Sequence, residues 1–131
     1  MNAWIILAEA ASAHPDGTVS MLRVGINRVK TDTVPVLFRG SLVARIEAEP
    51  SERGSHDFAI DCFDEDGREK LQRISGTIQI PPIGGQSNII IGINSNLPTF
   101  GSYAFSLTVD KTERARMLLK VEKIEAPNVN A

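Results

Sequence analysis

The stretch Gly101-Ser102-Tyr103-Ala104-Phe105-Ser106-Leu107-Thr108-Val109 decides the fold class. A glycine opens it, and Tyr103, Phe105, Leu107 and Val109 then alternate with Ala104, Ser106 and Thr108. Successive side chains of a strand leave on opposite faces, so this order predicts a half-buried β-strand with one face in a core and one in water. Downstream, Asp110 to Arg114 reads as a turn and Ala115 to Val121 as a last strand with Met117, Leu119 and Val121 inward. Upstream, Asn94 to Phe100 reads as a loop containing Pro98, and Ile89 to Ile93 as a strand whose consecutive isoleucines suit burial on both faces.

The same period recurs toward the N-terminus. Pro81-Pro82-Ile83-Gly84-Gly85 breaks the pattern after a strand that begins polar at Glu69 and ends with Ile74, Ile78 and Ile80. Asp64-Glu65-Asp66-Gly67 is a tight turn, preceded by a strand in which Phe58, Ile60 and Cys62 alternate with Asp57, Ala59 and Asp61. Pro50 to Ser55 is an exposed loop, Val36 to Glu49 is one long strand or two short ones, and Lys30 to Pro35 is a loop. Residues 3–12 fit a strand buried on both faces or a short helix, and the turn signal His14-Pro15-Asp16-Gly17 favours the strand. Thr18 to Val29 returns extended, with Gly25 at a bulge or close approach, so residues 3–29 are expected to form one hairpin.

These elements give about eight strands and no long helical apolar period. The expected fold is all-β: an antiparallel β-sandwich, jelly-roll-like or immunoglobulin-like. A chain of 131 residues implies a single domain, placed at 1–125, with a frayed tail at 126–131. Apolar residues make up 42%, enough for a real core, and charged residues 23%, which fits a globular chain. The formal net charge of -2 carries no basic excess, which argues against a dedicated nucleic-acid binder. The lone cysteine, Cys62, forms no internal disulfide, so the fold needs no oxidising compartment. The apolar run Ala3 to Ala8 is too short to span a membrane and lacks the flanks of a signal peptide, so a soluble, cytoplasmic protein is expected.

Each candidate chemistry has an ordinary structural reading beside it. The acidic cluster Asp57, Asp61, Asp64, Glu65 and Asp66 offers the hard oxygen ligands that calcium takes, with Asp61, Asp64 and Asp66 as the metal candidates. It does not match an EF-hand loop, and Asp-Glu-Asp-Gly is also a good hairpin turn on a solvent face. His14 and His56 stand in separate segments. Ser55-His56-Asp57 sets triad residue types side by side, yet triads assemble in space and not by adjacency. Cys62 shares a parity with Phe58 and Ile60 and is expected in the core, its pKa raised by acidic neighbours. Gly84-Gly85 lacks the lysine of a phosphate loop. Arg114, Arg116 and Lys120 share a parity opposite Met117, Leu119 and Val121, forming a basic face suited to a partner or to guarding an edge strand. Trp4, Tyr103 and Phe105 fall on core parities, which leaves no aromatic platform for sugar.

Several segments together carry a resemblance. They are Ile6-Leu7-Ala8-Glu9-Ala10-Ala11 followed by Asp16-Gly17 and the return Gly25-Ile26-Asn27-Arg28-Val29, then Leu42 to Glu47, Phe58 to Arg68, and Leu97 to Phe105. Over roughly residues 4 to 121 the chain resembles a family of small bacterial proteins, a domain of unknown function. The resemblance implies a single all-β domain and no activity or functional residues to transfer. The family's first turn region is rich in glycine, whereas here only Gly25 remains.

The sequence therefore reads as a non-enzymatic protein-interaction or structural module whose partner is a protein, itself included, with no cofactor, nucleic acid or membrane implied. Its loops 50–56, 81–88 and 94–100 or its edge strands would make the contact. Self-association would run through the Val36 to Glu49 or Ala115 to Val121 strand. The alternative is a ligand- or calcium-binding sandwich using the acidic turn 57–66 or a cavity between the sheets, and an enzyme built on His56 or His14 ranks last.

Overall fold

A computed structural model describes residues 1–125, and the expected frayed tail lies outside the described residues. The chain is all-β, with ten strands among the described residues rather than about eight: β1 (Asn2–Ala8), β2 (Ala10–Ala13), β3 (Val19–Leu22), β4 (Arg28–Thr31), β5 (Val36–Ala48), β6 (Gly54–Phe63), β7 (Glu69–Ile80), β8 (Gly85–Leu97), β9 (Gly101–Val109) and β10 (Thr112–Lys123). One 3-10 turn, Pro50–Glu52, interrupts them. Among the described residues no helix is long and apolar enough to cross a membrane.

The strands form a three-stranded sheet of order β1-β5-β8, a five-stranded sheet of order β4-β10-β9-β6-β7, and a β2-β3 ribbon. Pairing is antiparallel throughout except that β4 runs parallel to β10. One core receives side chains from both large sheets. Leu7, Leu42, Ala44, Ile46, Ile89 and Ile93 come from the narrow sheet, and Ile60, Cys62, Tyr103, Phe105, Leu107, Val109, Leu119 and Val121 from the wide one. As the alternation predicts, Leu119 and Val121 point inward, while Leu118 is exposed.

Strand β9 is more buried than its pattern implies, because it lies inside the five-stranded sheet. Its outward Ala104 and Ser106 are covered rather than wet. Ala104 stands between Phe63 and Leu118, and Ser106 between Asp61 and Arg116. Small residues on a central strand sink between the longer side chains of their neighbours. The Tyr103 phenol is 1% exposed. It donates to Thr99 O at 2.8 Å and accepts from Thr99 N at 3.0 Å, tying the strand start to the preceding loop as tyrosine corners do.

The N-terminal third departs most from expectation. The hairpin covers only β2 and β3; β1 instead pairs with β5. Gly25, at φ 90, is neither a bulge nor a crowded position. Its left-handed backbone turns the chain so that Gly25 N and Ile26 N donate to Leu7 O at 2.8 and 3.1 Å. Lys30 lies in β4 rather than in a loop. Most of the expected loops 81–88 and 94–100 belong to β8, whose Asn and Ser residues lack the apolar signal of a strand. The ribbon touches β5 and β8 on the outer face of the narrow sheet, where Val43 is fully buried. At its tip, Gly17 O accepts from Asn88 Nδ2 at 2.9 Å. Trp4 is on this outer face and not in the core: it is 38% exposed, with the Arg45 guanidinium over its ring.

Tyr103→Phe is expected to lower folding stability by about 1–3 kcal/mol, because Thr99 loses a donor and an acceptor in a part-buried setting. Urea unfolding of both proteins measures this, and a change within error would show that the phenol carries no such anchor.

Candidate functional site

The acidic turn is consumed in making itself. Asp64 Oδ1 accepts from the backbone N–H groups of Asp66 and Arg68, each at 2.9 Å, and Oδ2 faces Lys70 Nζ at 3.4 Å. These bonds, that from Arg68 first, hold the Asp64 carboxyl below its usual pKa. Glu65 Oε1 accepts from Ser102 N at 2.7 Å and crowds Gly101, where a Cβ would meet it at 2.8 Å. Gly101 also sits at φ 125, so it is the backbone that requires glycine there, while the Glu65 carboxylate is a flexible end that could move aside. Asp61 lies on the outer face of the sheet but is buried, not solvated as its parity predicts. Arg73 covers it, with Nε to Oδ1 at 2.9 Å and Nη2 to Oδ2 at 3.2 Å. Asp61, Asp64 and Asp66 are not gathered around one point. Among the described residues, no three His, Cys, Asp or Glu side chains stand where they would hold a metal ion.

The expected basic face is broken by a bulge. Glu113 pairs with Thr108 and Ala115 with Leu107, which leaves Arg114 without a cross-strand partner. The alternation therefore slips, and Arg114 does not line up with Arg116 and Lys120. Its charge is felt at Glu52 and Asp110. Arg116 is held by Glu113 at 2.6 Å, and Lys120 by Glu122 at 3.3 Å. Of the two expected pairing strands, β5 is no edge, and β10 is an edge only over Thr112–Leu119, which β4 leaves uncovered. β5 is flanked by β1 and β8, and β10 by β9 with β4 joining it over Lys120–Lys123.

The His14 ring meets Ser20 Oγ at 2.6 Å across the ribbon, its one hydrogen-bond partner among the described residues. His56 is more elaborate. Its Nδ1 faces Asp110 Oδ2 and its Nε2 faces Glu52 O. A backbone carbonyl and an ionised carboxylate only accept, so the surroundings favour the protonated ring, in which both nitrogens donate. The Asp110 bond, with help from Glu52 O, raises the His56 pKa and depresses that of Asp110. Asp110 Oδ1 also accepts from Asp57 N at 3.1 Å. Asp110 and Lys111 both have positive φ, 49 and 69, as a two-residue type I′ turn demands. This knot joins the β9–β10 turn to β6 and the 3-10 turn. With both nitrogens engaged, His56 has none left for a nucleophile. Cys62 is equally withdrawn: burial, with a smaller contribution from Asp64, pushes its thiol up to about 12.

What the fold leaves open is the seam between β7 and β8. The inner face of β7 faces the core at Ile78 and Ile80, both buried, but Ile74 on the same face is 38% exposed. The narrow sheet ends at β8 and does not reach over it. An open groove of about 620 Å³ runs here between Leu71–Ser75 and Gly92–Ser95. Beneath it the interior is filled to a void of about 20 Å³, lined by Leu42, Ile60, Cys62, Ile91 and Phe105, which admits nothing beyond a water-sized guest. A larger groove of about 810 Å³, between Phe100 and Lys120–Glu125, runs into the last described residues.

The model of a family of unknown function matches residues 3–122. The chain belongs to DUF6941. No curated protein matches it. In this DUF6941 protein the strand-and-turn segments that carry the resemblance fall on β1, β2, β4, β5, β6, β9, the end of β8 and the turns between them. Sequence reading missed the His56–Asp110 pair, because the partners are 54 residues apart. It also missed the seam. There the readable signal was the absence of any charge or proline from Gly85 to Leu97 in a chain that is 23% charged.

A folded-state pKa raised above the ordinary histidine value of 6.5 adds stability below that value, and the contribution is lost as pH rises through the raised value. Tm is therefore expected to fall from pH 6.5 upward through that window, apart from changes due to other groups. Asp110→Asn retains a residue tolerant of positive φ and should flatten this slope. An unchanged slope in the variant would exclude the His56–Asp110 pair as its source.

Proposed function

We propose that this DUF6941 protein is a non-enzymatic interaction or structural module, built as a two-layer β-sandwich and working in the cytoplasm, that binds a protein partner along the β7–β8 seam. The observation that carries this reading is Ile74, an inward-facing isoleucine left 38% exposed beside an open strand edge. An extended segment added beside β8 would satisfy its free backbone groups and cover Ile74 in one step. The titratable groups support the same reading. Asp61, Asp64 and His56 each have their polar atoms committed to the fold itself.

A photo-crosslinking residue placed at Ile74 should give protein adducts in cells, and the same residue at Gln79, exposed on the opposite face of β7, should give none. Equal yields from both positions, or no adduct from position 74, would overturn the reading. In parallel, adding calcium or EDTA should leave Tm unchanged. A calcium-dependent rise, which binding to the native state requires, would favour the acidic turn as a cation site instead.

A further inference from the structure

We infer that the occupant of the β8 edge is a second copy of this chain, paired antiparallel, β8 to β8, about a two-fold axis at Ile91. This inference rests on the interaction reading above and names its partner. The other edges of the two large sheets are guarded or covered. β7 carries Glu69, Lys70 and Arg73 and is bulged, since Ile60 pairs with Ile74 but Cys62 with Leu71. β4 has four residues, among them Arg28 and Lys30, and the stretch of β10 that it leaves uncovered, Thr112–Leu119, carries Glu113, Arg114 and Arg116 and a bulge. β1 is covered by Gly25 and Ile26, which bond Leu7 O, and lies against β10. Among the edge strands of the described residues, β8 alone is long, 13 residues, with neither a charge nor a proline, and β5 is its one strand neighbour there.

The order of residues in β8 points to self-pairing. Ser87-Asn88-Ile89-Ile90-Ile91-Gly92-Ile93-Asn94-Ser95 reads nearly the same from either end. In an antiparallel pair centred on Ile91, Ile89 meets Ile93 of the second copy, Asn88 meets Asn94, and Ser87 meets Ser95. The one asymmetric position sets Ile90 against Gly92, large against small. Directly opposed residues of an antiparallel pair share a face, so the core-facing Ile89, Ile91 and Ile93 continue as one apolar row across the axis. Such a contact is isologous: each patch meets its own image and the assembly closes at two. Self-pairing opposes each position to a near neighbour of its own kind. A charge on β8 would be set close to its own copy, and β8 has none. The added strand would also extend the narrow sheet over β7 and cover Ile74.

Light scattering on a column should give twice the chain mass, falling to one chain on dilution. Gln86 and Asn96 are exposed and lie opposite one another in this register. Gln86→Lys with Asn96→Lys should weaken the dimer about tenfold by placing like charges across the axis twice. Gln86→Lys with Asn96→Glu should restore it. Gly92→Lys is a further disrupting variant, because a Cβ there meets nothing within the chain and the fold should keep its Tm. A single-chain mass at every concentration would overturn the second-copy occupant. A dimer indifferent to all three variants, or one split equally by both charge pairs, would overturn the register. Crosslinks from position 74 to another protein, with a monomeric wild type, would leave the seam reading standing while this inference fell.

Discussion

Two sheets of unequal width share one core, and most of what is unusual in this molecule follows from that mismatch. Three strands cannot cover five. On one flank the deficit is made up by the approach of β1 to β10 and by the chain turning at Gly25 onto Leu7 O. On the other flank nothing in the described chain makes it up, and the inner face of β7 emerges from under β8 at Ile74. The shared apolar core, to which Leu42 and Ile46 contribute from one layer and Leu107 and Val109 from the other, fixes the layers, and the open seam is the geometric remainder of it.

The chemistry-bearing residues also serve this frame. The Asp64 carboxylate closes the β6–β7 turn, Glu65 clamps the start of β9, and Arg73 neutralises Asp61 over the outer face. Asp110 shapes a tight turn while binding His56 and favouring its protonated form between two strands and a 3-10 turn. In this member of DUF6941, groups that resemble ligands or catalysts in a linear reading are capping and bridging groups in space.

The parts legible in the sequence were those where a strand's two faces differ. Tyr103-Phe105-Leu107-Val109, Phe58-Ile60-Cys62 and Leu42-Ala44-Ile46 each carry a period of two strong enough to place β9, β6 and β5. What stayed hidden had physical reasons. β4 has four residues, half of them charged, and exists because β10 supplies a partner. The ends of β8 are Asn, Ser and Gln, side chains that also mark loops. The bulge at Arg114 shifts the alternation by one residue, which no parity count detects. Partner choice is absent from local pattern altogether: Ile5 pairs with Ala44, and His56 meets Asp110, only through the closed fold. The candidate site was thus read as residues without their contacts.

Cys62 has a consequence of a different kind. It is the chain's single thiol, 2% exposed and with its pKa pushed up to about 12, so the folded molecule offers essentially no thiolate to an alkylating reagent or oxidant. Modification must wait for an opening that frees β6 from the core. The labelling rate at this one sulfur is consequently a clock for the breathing of the central sheet, written into the native sequence and readable without any introduced probe.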